Sequence, residues 1–124
     1  MSLPILHMMP RVTGDIDRCL DFVGRQPWGK PDERELDIYR GIAAVCTYPD
    51  ARRPEVLRTD TRLWLRRHRV AQFVIIYAYL EARDPSLPGV VSIRAVRHMR
   101  VANVFAGVKE AVSDPYVNFA EEKS

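Results

Sequence analysis

Residues 61–100 read TRLWLRRHRVAQFVIIYAYLEARDPSLPGVVSIRAVRHMR, and this stretch decides the fold. It divides into three runs with strand character. The middle run, Val70 to Leu80, is β-branched and aromatic almost throughout, with Gln72 as its one strongly polar residue. A run so short, and apolar on both alternating faces, fits a buried central strand better than a helix. Ahead of it Leu63 and Leu65 alternate with Arg62, Trp64 and Arg66. The cluster Arg66-Arg67-His68-Arg69 is expected to form the turn between these two strands. Behind it, Glu81 to Gly89 is a turn region by composition. Val90 to His98 then alternates, with Val91, Ile93, Ala95 and Arg97 against Val90, Ser92, Arg94, Val96 and His98.

Working outward, Leu3 to Met9 is a short apolar run closed by Pro10, a candidate first strand. From about Thr13, Ile16, Cys19, Leu20 and Val23 recur at helical spacing, with Asp15, Asp17, Arg18 and Asp21 on the other face. Gly24 and Pro27 stop that helix. The connector RQPWGKP (residues 25–31) reads as a loop, with Trp28 expected to fold back onto the core. A second helix is predicted from about Asp32 to Thr47, carrying a wide apolar band of Leu36, Ile38, Tyr39, Ile42, Ala43, Val45 and Cys46, so both its flanks should be covered. Pro49 ends it, and Pro49 to Asp60 reads as a surface crossing. After the last strand, Val101, Val104, Phe105, Val108 and Val112 predict a short amphipathic helix, with a polar tail from Ser113. The predicted order is β-α-α-β-β-β-α. It describes an α+β fold, a small and mainly antiparallel sheet with an αα-hairpin on one face, in a single domain over residues 1–112 with a tail at 113–124.

A chain of 124 residues supports one hydrophobic core. Its net charge of +3 is too mild to argue for nucleic acid by itself. The distribution says more: residues 52–69 hold seven arginines and His68 against Glu55 and Asp60, a block of local positive potential. No segment approaches the apolar length of a membrane span. The start MSLPILHMMPRV lacks the pattern of a signal peptide, so a cytoplasmic protein with reduced Cys19 and Cys46 is expected. His7, His68 and His98 stand far apart with no carboxylate motif, so no metal site and no cofactor are expected. There is no Gly-rich phosphate loop, Gly-x-Ser-x-Gly elbow or Cys/His nucleophile pair.

What remains as candidate binding surface is two basic sets. Arg58, Arg62, Trp64, Arg66, Arg67 and Arg69 form one, and Arg94, Arg97, His98 and Arg100 the other; the sheet should bring some of them together. Such a surface suits phosphate or an acidic protein segment, and is otherwise a solvated face. Trp64 between Arg62 and Arg66 favours contact. Phe73, Tyr77 and Tyr79 read as core.

The element order, FVIIY at 73–77, VSIRAVRH at 91–98 with Arg100 after it, and the following VANVFAGV at 101–108 together resemble the RelE/ParE toxins of bacterial toxin–antitoxin (plasmid stabilisation) modules. The resemblance is clearest over about Glu55 to Val108. It implies the fold above and a cognate, ParD-like antitoxin, in a toxin–antitoxin hetero-oligomer. It also implies one of two activities. RelE-type members are ribosome-dependent endonucleases that cleave messenger RNA, and commonly carry an arginine three residues before the tyrosine of the middle strand. Here that position is Val74, and after Arg100 no tyrosine occurs until Tyr116. ParE-type members lack those groups and inhibit DNA gyrase without being nucleases. The resemblance therefore implies a ParE-like gyrase inhibitor with no catalytic residues. A RelE-like messenger-RNA endonuclease, left open by His98 and Arg100, and a degenerate non-toxic interaction domain are the alternatives.

Overall fold

A computed structural model of the chain describes residues 3–52, 54–57, 64–82, 84 and 86–100, with backbone alone at 54–57 and 64. The elements are β1 (Ile5–Met8), α1 (Arg11–Gly24), α2 (Pro31–Thr47), β2 (Pro54–Leu57), β3 (Trp64–Val70), β4 (Phe73–Leu80) and β5 (Val90–His98). They make an α+β fold with one five-stranded sheet in the order β1-β5-β4-β3-β2. β1 lies parallel to β5, and the other neighbours are antiparallel. The helix expected over 101–112 and the tail 113–124 lie outside the described residues.

The helices form where the apolar spacing demands. On α1, Val12, Ile16, Cys19 and Val23 are buried. Pro31 opens α2, with Asp32 and Glu33 in its first turn at the positive end of the helix dipole. Ile38, Ile42 and Val45 of α2 join the α1 residues, Phe73, Ile75 and Tyr77 of β4, and Val91, Ile93 and Val96 of β5 in one core cluster. A Cβ at Gly41 would stand 2.8 Å from Ile75 Cδ1 and 2.9 Å from Val70 Cγ1. This is where α2 comes closest to the sheet. The opposite face is also buried, through Val74, Ile76, Ala78, Val90 and Ala95.

Five expectations are corrected. The basic cluster Arg66 to Arg69 is not a turn: β3 runs through it to Val70, and Val70 pairs with Phe73 across the two-residue turn Ala71-Gln72. Ala71 takes φ +50°, the left-handed backbone such hairpin turns require, at a cost of about 1–2 kcal/mol for a residue with a Cβ. A strand, β2, forms inside the supposed surface crossing. Trp28 is 45% exposed rather than folded onto the core. Its loop is pinned under the end of α1 by bonds from Gln26 N–H to Val23 O and from Gly29 N–H to Gln26 O, so tightly that a Cβ on Gly29 would lie 1.8 Å from Val23 O. The outer flank of α2 is open, with Leu36 and Tyr39 each 49% exposed.

The fifth correction matters most. Ile76 pairs with Ala95 while Tyr77 pairs with Ile93, leaving Arg94 as a bulge without an opposite residue. An extra residue reverses the alternation beyond it. Val96 and His98 therefore turn to the helix side, where Val96 joins the core and the His98 ring meets Phe22 and Phe73.

Candidate functional site

β1 accompanies β5 only from Val90 to Ile93. β5 runs on to His98, and α1 takes over along its outer edge. An uncovered strand edge exposes main-chain groups that need partners. Here two side chains of α1 supply them: the Val96 N–H donates to Asp15 Oδ2 at 3.2 Å, and Cys19 Sγ donates to the Val96 carbonyl at 3.8 Å. Asp15 is 3% exposed, against the expectation that it lies on the outer face. Its burial is compensated by an ion pair with Arg18 and by Arg11 Nε at 3.7 Å.

Beside this contact opens a cavity of about 510 Å³. Arg11, Asp15, Arg18, Cys19 and Phe22 line it from α1, and Val96, Arg97, His98 and Arg100 from β5 and the residues after it. Four arginines and one carboxylate thus contribute to its lining. Cys19, Phe22 and Val96 give it an apolar wall. Such a site attracts anions, and the planar arginine forks suit carboxylate or phosphate oxygens.

Its nucleophile and base candidates are poorly placed for catalysis. Burial, with Asp15 adding to it, pushes the Cys19 thiol up to about 11, so it is protonated at neutral pH and a weak nucleophile. His98 is held below the ordinary histidine value, first by burial and then by the charge of Arg100. Its Nδ1 accepts the Arg100 backbone N–H at 3.2 Å, which leaves the proton of the neutral ring on Nε2. That Nε2 is buried and has no hydrogen-bond partner among the described residues. Phe22 and Phe73 approach the ring edge-on, at centroid distances of 4.9 and 5.8 Å.

No family model matches this chain, and no curated protein does.

Of the residues expected at a binding surface, the structure brings Arg97, His98 and Arg100 together in the cavity. Arg94 is not on the rim: it is 2% exposed, with Nη1 3.6 Å from Met9 Sδ, because the bulge turns it inward. Arg66 is occupied elsewhere. Its Nη1 donates to the carbonyls of Pro49 (3.2 Å) and Arg52 (2.8 Å) and meets Asp50 at 3.2 Å. Its guanidinium also lies 5.8 Å from the Tyr79 ring centroid. Tyr77 Oη donates to the same Pro49 carbonyl at 3.0 Å, so the two side chains tie the end of α2 to the sheet. Arg67 and Arg69 are exposed on β3, and Arg69 Nη2 is 3.5 Å from Met99 Sδ. Trp64 begins β3, while Arg58 and Arg62 lie outside the described residues. Arg69, Val74 and Arg97 share one row across three strands, and Val74 is buried within it.

Sequence reasoning missed Arg11 and Arg18, which stand about eighty positions before β5: Arg18 read as a charge on the outer helix face, and Arg11 lay ahead of the predicted helix start. The available signal was their i, i+4 and i, i+3 spacing around Asp15. Among the described residues no group of His, Cys, Asp and Glu could hold a metal ion. No described helix is long and apolar enough to cross a membrane.

Proposed function

We propose that the chain is a ParE-like toxin of the RelE/ParE kind, a non-enzymatic inhibitor of DNA gyrase neutralised by a small antitoxin. The observation that carries this reading is at Val74. The stretches that carry the resemblance, FVIIY and VSIRAVRH, are adjacent antiparallel strands at the centre of the sheet. At the position where an RNA-cleaving relative would carry arginine, Val74 is buried between Arg69 and Arg97. A buried valine neither donates to a phosphate nor stabilises its charge. The αα-hairpin on one face of a mainly antiparallel sheet agrees with the same reading. So does the chain's net charge of +3, since a basic toxin is electrostatically matched to an acidic antitoxin.

Induced expression of the chain alone in a bacterial host tests the proposal. Filamentous cells with damaged DNA and intact messenger RNA are expected, and the purified chain should inhibit gyrase supercoiling. Rapid arrest of translation with cleaved transcripts would overturn it in favour of the endonuclease. Normal growth together with unimpaired gyrase would mark a non-toxic interaction domain.

A further inference from the structure

We propose that His98 is an acid-operated latch: while its ring is neutral it holds the end of β5 and the turn after it against α1, and on taking up a proton it releases them. The ring ties three pieces of chain together. It meets Phe22 of α1 and Phe73 of β4 edge-on, at interplanar angles of 64° and 87°. Its Nδ1 accepts the N–H of Arg100 at 3.2 Å. Between these two residues the Met99 N–H donates to the Gln72 carbonyl at 2.8 Å, so residues 98–100 are held from both sides.

This arrangement accepts only the neutral ring. A proton on Nδ1 removes the acceptor and sets two N–H groups against each other. Nor does the new charge find a partner on the far side of the ring, where Nε2 is buried without a hydrogen bond. The surrounding charges oppose it as well. From α1, Arg11, Arg18, Asp15 and the protonated Cys19 thiol share the cavity with the ring, and Arg25 caps the helix beyond Phe22. From β5 and the turn after it come Arg97, on the opposite face by register, and Arg100. β4 brings the uncharged Phe73, preceded by Gln72. Asp15 is the one carboxylate among the lining residues, and it is already engaged by Arg18, Arg11 and the Val96 N–H. The ring therefore takes up its proton below the ordinary 6.5, as its burial and Arg100 require. Release frees the ring and the turn, while the Asp15 bond to Val96 remains. It opens that end of the cavity and uncovers the edges of Phe22 and Phe73. The latch is independent of the toxin reading, since it is measured on the chain alone.

A nuclear magnetic resonance titration of the full chain between pH 7.5 and pH 5 tests it. At the upper end, long-range nitrogen–proton spectra should show the His98 proton on Nε2. On acidification His98 should titrate below 6.5, and the ring signals of Phe22 and Phe73 should move with the same midpoint. Through that midpoint the Arg100 amide, corrected for its intrinsic exchange rate, should exchange about fivefold faster or more. The Val96 amide, held by Asp15, should not change. In His98→Gln the step at Arg100 should disappear, whereas His68→Gln, on β3, should keep it. The proposal is overturned if the neutral ring carries its proton on Nδ1, or if His98 titrates at or above 6.5. It is equally overturned if the Arg100 amide and the two phenylalanine rings do not follow the titration of His98, or if the step survives in a folded His98→Gln. Should that variant not fold, the titration of the parent chain decides alone.

Discussion

Replacing Asp15 separates the two roles the structure gives it. In the folded chain its carboxylate accepts the N–H of Val96 at 3.2 Å and pairs with Arg18 and with Arg11. Asp15→Ala leaves a buried N–H without an acceptor, which costs about 1–3 kcal/mol. It also removes two ion pairs to part-exposed guanidiniums, with side chains 35% exposed for Arg11 and 70% for Arg18, worth about 0.2–1 kcal/mol each. Together the loss is about 1.4–5 kcal/mol, or roughly 6–20 °C in Tm for a domain of this size. Asp15→Asn keeps an oxygen for Val96 and loses the charge, so it should cost less, about 0.5–2 kcal/mol. Urea unfolding followed by circular dichroism measures both. Anion affinity should move the other way, since removing the one carboxylate makes the cavity more positive by about 1 kcal/mol of binding, roughly fivefold. The reasoning fails if Asp15→Ala lies within about 0.5 kcal/mol of the parent, for then the edge of β5 does not depend on this carboxylate. It fails equally if Asn is as damaging as Ala.

Three further outcomes follow from the packing and the titrating groups. Gly41→Ala should cost about 1–3 kcal/mol by urea unfolding, because the new methyl meets Ile75 and Val70 at under 3 Å. Ala71→Gly should leave stability unchanged or raise it by up to about 1 kcal/mol in the same assay, since glycine takes a φ of +50° without the steric cost. His98 and His68 both have folded values below the ordinary 6.5, burial being the first cause in each. Their stabilising contribution is therefore complete above the unfolded value and lost as the pH falls through the lowered folded values. The Tm should drop between pH 7.5 and pH 5, and the drop should shrink in the double variant His68→Gln/His98→Gln.

Both helices and the two central strands were legible in the residues, because α1 buries one face at helical spacing and Phe73 to Leu80 is apolar in both phases. The same two-sided apolarity hid the bulge. With Val90, Val91, Ile93, Ala95 and Val96 acceptable on either face, nothing in the alternation marks the residue at which it reverses. The turn at Ala71-Gln72 was invisible for want of glycine or asparagine, so the eye fell on the charged cluster instead, although charges at every position are tolerated where one strand face meets water. β2 lies in a proline-containing polar stretch and is held by pairing to β3, which composition does not report. The cavity was half legible. Arg97, His98 and Arg100 stand together in the chain, but Arg11 and Arg18 reach them only because α1 takes the place of a strand beside Val96.

The bulge at Arg94 makes the site depend on counting. Deleting Arg94 would leave an unbroken alternation in which Val96 and His98 keep the helix side, because their pairing with Ile75 and Phe73 is unchanged. Pairing the full-length strand without the bulge would instead exchange the outlooks of its distal half: His98 would leave the helix side and Arg97 would enter it. The composition would be the same, yet the buried ring would be lost. Among natural variants of this chain, the interval from Ile93 to Val96 should therefore tolerate the loss of one residue and resist the gain of one.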